Sequence, residues 1–245
     1  MAEDRGIWAS WYDLPIDGEA EYLAWLHEEH IPSALARPGY LWGGHYRLEK
    51  AAPLSAAHKD KAFINDPGLG RGGEFILIFG ATCAHDFLNP APDDLLKSYD
   101  ARAREMLARR EGERTAYFTE VGRVDGPEID KRSPSLAAGP SIQFGAFRAK
   151  DASYDEVLAS WYVHDRLAAF SGLKGCVGAR KLISLGGWAR HGILYEFDSF
   201  EGQEHFFESL EASASDTTTT VGGVVRALEH GPGSPSKARR IWPEV

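Results

Sequence analysis

"WLHEEHIPSALARPG" at residues 25–39 and "WYVHDRLAAFSGLKG" at residues 161–175 align without a gap at an offset of 136. Trp25 then faces Trp161, Glu29 faces Asp165, Ile31 faces Leu167 and Gly39 faces Gly175. Self-similarity at one fixed, long period is the mark of a duplicated structural unit. The surroundings agree. Each copy follows a strand-like run (6–12 and 141–148) and an aspartate suited to cap a helix, Asp17 or Asp151.

Extending the periodicity outward gives two sets of elements. The first half predicts strand 6–13, helix 18–36, strands 40–49 and 74–82, helix 93–110 and strand 114–124. The second predicts strand 141–148, helix 153–170, strands 176–184 and 191–198, helix 200–212 and strand 221–229. Each is a βαββαβ unit, the ferredoxin-like arrangement, so the expected fold class is α+β with two tandem repeats. Residues 1–125 form the first repeat, with an insertion at 51–73. Residues 126–140, rich in Pro, Gly and Ser, form the linker; 141–230 form the second repeat. The tail, 231–245, is expected to wrap the surface until Trp242 docks.

Helices on one face of each sheet leave its other face bare. Trp8, Trp42, Phe75, Phe118, Phe144, Phe147 and Tyr195 are too many large apolar groups to leave wet. The two sheets are therefore expected to face each other in an α+β barrel, with a pocket between them.

Bulk properties narrow the function. The chain has 245 residues, 43% of them hydrophobic, and a formal net charge of −9. That charge argues against a nucleic-acid partner, which needs a dense basic surface. Arg102 to Arg114 is the one basic run, and its interleaved glutamates make it read as a solvated helix face. The first residues lack a signal peptide's apolar core, and no stretch is long enough for a membrane span, so a cytoplasmic location is expected. Cys83 and Cys176 give neither a disulfide framework nor a zinc spacing.

Trp25-x-x-Glu28-x-His30-Ile31-Pro32, followed by Arg37-Pro38-Gly39-Tyr40 and by His45-Tyr46-Arg47 on the next strand, resembles the signature of the dimeric α+β barrel superfamily, in its EthD-like branch. The second half departs from it, with Arg166 in the histidine's place and Ala168 in the proline's. The resemblance implies the barrel and a site for small organic molecules. It does not imply one reaction, because a fold hosts many chemistries.

His27-Glu28-Glu29-His30 is not the His-Glu-x-x-His spacing of zinc peptidases, and no other cluster supplies a third ligand; no metal and no cofactor are expected. Leu23, Leu26, His30 and Ala34 recur at helical spacing, which sets His30 on or beside the buried stripe and His27 nearer solvent. Pro32 removes an N–H and crowds the preceding turn, so the helix should kink or end near residues 28–31. Imidazole titrates near neutrality, so His30 is the candidate general acid or base, with Glu29, His45 and Tyr46 as catalytic partners. Trp8, Tyr12, Trp42, Arg166 and His191 are candidate substrate-binding residues. The Gly68–Gly73 run matches a dinucleotide fingerprint in letters, but it precedes a strand, where no phosphate cradle forms.

The leading expectation is a cofactor-independent enzyme of the lyase, isomerase or cyclase type. It would act on a small aromatic or carbonyl-containing molecule by proton transfer, and a homodimer is allowed. The alternatives are a cofactor-free monooxygenase or haem-binding oxidative enzyme, and a non-catalytic small-molecule binder.

Overall fold

Side-chain alternation along the first strand sets the architecture. β1 (Gly6–Asp13) sends Ile7, Ala9 and Trp11 into one core and Trp8 and Tyr12 into another, as a period of two requires. The computed structural model describes residues 4–49, 62–132, 138–204 and 227–244. Around β1 stand β2 (Tyr40–Leu48), β4 (Phe75–Ala81) and β5 (Glu111–Asp125), with the two-residue β3 (Ala62–Phe63) between β2 and β4 in sequence. The later strands are β6 (Ser141–Ala149), β7 (Cys176–Gly186), β8 (His191–Phe197), β9 (Leu228–His230) and β10 (Ser236–Trp242).

The strand order β10-β2-β4-β1-β5-β7-β8-β6, with β6 returning to β10, closes an eight-stranded antiparallel barrel. Closure removes the free edges on which an open sheet would aggregate. β9 pairs with the other end of β6, and β3 joins β9 in parallel. Among the described residues no helix is long and apolar enough to cross a membrane.

The interior is packed. Trp11, Trp42, Tyr46, Phe118 and Phe144 fill it together with Ile7, Ile76, Ile142 and Leu194. Of the aromatics expected there, Trp42, Phe118 and Phe144 are inside, whereas Trp8, Phe75, Phe147 and Tyr195 lie on the outer, helix-covered faces. The expected pocket between the sheets is thus replaced by core, and open space lies beneath the helices instead. At one barrel end Arg180, 1% exposed, binds Asp4 and Glu196 at 2.8 and 2.9 Å, and Trp42 donates to Asp4 at 2.7 Å.

Three further expectations change. The helix expected over 18–36 is α1 (Glu19–Trp25), a π-helical segment (Leu26–His30) and α2 (Ile31–Leu35). The second half repeats this with α5 (Tyr154–Trp161) and a π segment at Tyr162–Arg166, 136 residues on. There Leu167 N–H bonds Tyr162 O although Ala168 replaces the proline, so Pro32 alone does not cause the wide turn. Both helices are followed by a left-handed glycine, Gly39 (φ 85°) and Gly175 (φ 82°).

The helix expected over 93–110 is two, α3 (Pro92–Ser98) and α4 (Ala101–Ala108), because Tyr99 is extended and Asp100 caps α4 through Ala103 N–H at 2.7 Å. The tail does not wrap the surface; its residues 236–242 are β10, with Ala238 in the barrel core. Residues 200–204 are helical; the rest of the helix expected to 212 and most of the strand expected over 221–229 lie outside the described residues, as do 50–61 of the insertion. Its glycines pack rather than cradle phosphate: Gly72 N–H bonds Gly112 O at 2.8 Å, and a Cβ on Gly70 would meet Glu113 O at 2.2 Å.

Candidate active site beneath the first helices

A cavity of about 340 Å³ opens between the outer face of the first-half strands and α3 and α4. Trp8, Leu77, Phe79, Leu95, Leu96 and Leu107 supply apolar wall, and His30, Tyr99, Arg104, Arg110, Glu113 and Tyr117 supply the polar groups. A mostly apolar concavity with a few convergent polar groups is what a small-molecule site requires.

The π segment delivers His30 to this cavity. Ile31 N–H reaches back five residues to Leu26 O, which brings residues five apart onto one face. The rings of Trp25 and His30 accordingly lie 4.8 Å apart, and Tyr99 approaches from the other side at 5.4 Å. His30 is 7% exposed, and among the described residues its ring makes no hydrogen bond. Burial first, then the charges of Arg110 and Arg37, push its pKa down to about 3. It is a neutral imidazole at physiological pH, with its nitrogens unspent.

Arg110 is the group that sequence reasoning missed. Its side chain is buried; Nε donates to Tyr22 Oη at 2.7 Å and Nη1 to Glu113 at 2.6 Å, and the guanidinium lies 4.4 Å over the Tyr12 ring. Nη2 has no partner among the described residues. Burial opposes the charge, but Tyr22, Tyr12 and Glu113 hold its pKa above the ordinary value. Arg104 binds the carbonyls of Lys97 and Tyr99, and Arg37 donates to Tyr99 Oη at 2.9 Å.

The other predicted residues divide. Trp8 lines the cavity. Glu29 does not: it is solvent-exposed and pairs with Arg102 at 3.4 Å, and it makes no hydrogen bond to His30. His45 and Tyr46 point to opposite sides of β2. Tyr46 is inside the barrel, donating to Ala138 O at 2.8 Å, and Trp42 is inside with it.

His45, fully buried under α1, has Nε2 2.8 Å from Tyr12 Oη and Nδ1 2.8 Å from His27 Nε2. The Tyr12 ring meets the Tyr22 ring edge-on, centres 6.0 Å apart, and Tyr22 Oη accepts from Arg110, so the two tyrosines lie between the histidine pair and the cavity wall. Burial pushes His45 well below the usual imidazole range, with His27 and Arg110 adding to the effect. Burial also takes His27 down to about 4. His27 was expected nearer solvent; it is half-buried and stacks on Trp242 of β10, ring centres 5.9 Å apart.

Arg166, at His30's place in the second half, is spent on Tyr195 Oη at 2.7 Å and lies over Phe170 and Trp161. His191 is also in that half, between Asp155 (2.8 Å) and Lys181 (3.2 Å). Neither meets the first-half cavity. Among the described residues no set of three His, Cys, Asp or Glu side chains is placed to hold a metal ion.

No protein-family model matches the sequence, and no curated protein resembles it in sequence. Solved structures do resemble it in fold. An anthrone oxidase-like protein superposes with a TM-score of 0.57 at 11% identity, over 98% of this chain and 92% of that one. A candidate monooxygenase from Fusobacterium nucleatum gives 0.54 at 8% identity, over 98% and 94%. A candidate chlorite dismutase gives 0.54 at 13%, over 97% and 95%. The chain shares the fold of these neighbours.

Proposed function

We propose that the chain is an enzyme in which His30 moves a proton to or from a small aromatic or carbonyl-containing molecule bound in the first-half cavity. A lyase, isomerase or cyclase step then follows from the carbanion or enolate formed. The observation that carries this is His30 itself: a neutral imidazole without a hydrogen-bond partner among the described residues, lining a largely apolar cavity. A side chain held for packing alone would have its ring nitrogens satisfied.

Burial and the fields of Arg110 and Arg37 make His30 a weak base. Negative charge developing on a ligand beside those guanidinium groups cancels their fields, so the imidazole gains basicity as the proton leaves the ligand. Arg110 then faces the anion that results. Glu29, Tyr46 and Trp42 have no part in this step.

Deuterium exchange at the acidic C–H positions of 2-tetralone, followed by NMR, tests the reading without knowledge of the product. The wild type should accelerate exchange over buffer, and His30→Ala should fold normally yet lose about 10²-fold or more, the usual worth of a positioned base. An unchanged rate in His30→Ala removes it from the mechanism.

A second reading uses the same carbanion with molecular oxygen, and two fold neighbours, described as a candidate monooxygenase and as anthrone oxidase-like, support it. Oxygen uptake with anthrone, dependent on His30, would select it. A Soret band on adding haem, lost in His30→Ala, would instead assign a haem enzyme.

We further infer that the chain is an internal duplication of a ferredoxin-like unit, in the EthD-like branch. The gapless match at 136 residues, the π segments at the same interval and the parallel strand orders β2-β4-β1-β5 and β7-β8-β6-β10 support this.

A further inference from the structure

The protein carries a net charge of −9, yet its cavity is cationic. Arg104 and Arg110 line it, and the field of Arg37 reaches it at His30. Glu113 is the one carboxylate among the lining residues, and it is paired with Arg110. Arg104 and Arg37 bind carbonyl and phenol oxygens, and neither has a carboxylate partner among the described residues. Two guanidinium charges therefore stand uncompensated beside an apolar space, where an anion is attracted more strongly than in water.

The walls restrict the anion's shape. Trp8 lies 5.5 Å from both Phe79 and Tyr117, ring centre to ring centre, which gives an aromatic floor. At about 340 Å³ the cavity is near the small end of ligand sites. A carboxylic acid would arrive already ionised and offer His30 no proton. A phenol or enolisable ketone keeps its proton until it meets a base, and then places the charge on oxygen.

We propose that the cavity selects a flat aromatic molecule bearing a phenolic hydroxyl or an enolisable carbonyl and holds it as its oxygen anion, received by Arg110, whose Nη2 has no partner among the described residues although Nη1 pairs with Glu113, and by the uncompensated Arg104. This deepens the reading of His30 as the base and rests on it: the proton on the ligand oxygen or adjacent carbon passes to a His30 ring nitrogen, and the electron pair it leaves stays on the ligand as oxyanion.

The probe is 4-nitrophenol, whose ionised form is yellow and whose ionisation lies near neutral pH. Titrated spectrophotometrically in the presence of excess full-length protein, its midpoint should fall by about one pH unit or more, a tenfold gain in ionisation, as expected for an acid beside an opposite charge. Arg110→Met should return the midpoint to the free value or above it. Arg104→Met, at an exposed position on α4, should give a smaller shift with an unchanged circular dichroism spectrum, and it decides the matter if Arg110→Met does not fold.

A wild-type protein that leaves the midpoint at the free value or raises it overturns the proposal, and so does an Arg104→Met protein that keeps the whole shift. The two readings are tested separately, the base by loss of deuterium exchange in His30→Ala and the anion site by the wild-type midpoint and its dependence on Arg104. A lowered midpoint with exchange independent of His30 leaves the anion site standing and removes the base.

Discussion

His45 and Tyr12 meet at 2.8 Å, imidazole Nε2 to phenol oxygen, on the outer face of the barrel under α1. Arg110 Nε–H can only donate, so Tyr22 Oη accepts from it beside the Tyr12 ring. Tyr12 then donates to His45 Nε2, and His45 Nδ1–H donates to His27. The bonds joining Tyr12, His45 and His27 are all made in this one direction, with both imidazoles neutral.

Tyr12→Phe removes the buried end of that chain. His45 Nε2 is left without a donor, at a cost of about 1–3 kcal/mol. Urea unfolding should show this loss, and the ¹⁵N shifts of His45 should lose the Nδ1–H pattern. A stability within error of wild type would mean the chain does not hold the site. The cavity should still form, because Tyr12 is not among its lining residues.

Lys181 gives the clearest pH dependence. It occupies the second-half position matching His45 and is buried against Phe147 and Tyr162. Its ammonium meets Leu182 O, Gly192 O and His191 Nδ1, yet burial takes its pKa down to about 7. An unfolded lysine keeps its proton up to about pH 10.4. Between roughly pH 7 and that value the unfolded state binds more protons, so stability rises with pH across the window. Urea midpoints at a series of pH values should show this rise, and Lys181→Met should flatten it. A wild-type profile flat above pH 7 contradicts the assignment.

The barrel was legible because its signals are local and doubled. The repeated Trp25 and Trp161 segments fixed the offset, and alternation along β1 and β6 gave the strands. Parity was not legible from composition: Trp8 and Trp42 look alike as letters, but only the register decides which faces inward. The tail strand was missed because SKARRIW is charged, with Ala238 alone of its residues in the barrel interior and Ile241 and Trp242 packed on the outer core. The place of His30 on the buried stripe was legible from helical spacing. Arg110 was hidden in a basic run that reads as solvated; only the rings of Tyr12 and Tyr22, distant in sequence, draw it inside.

Arg166 marks where the second half differs from the first. The π segment there still brings Trp161 and residue 166 together, as it brings Trp25 to His30, so the backbone for a second site exists. The space does not. Phe170 stacks on Tyr195 with ring centres 4.4 Å apart, and Arg166 covers both rings while binding the Tyr195 hydroxyl. Arg166→His should therefore not create a second base. Its shorter ring would leave Tyr195 Oη without its guanidinium donor, lowering stability by about 1–3 kcal/mol on the scale of a lost bond to a charged group. Exchange of 2-tetralone protons should stay at the wild-type rate in Arg166→His and at background in Arg166→His combined with His30→Ala. Exchange in that double variant above the level of His30→Ala alone would show that the second half needs only the right side chain, and that the stacked pair of Phe170 and Tyr195 does not close it.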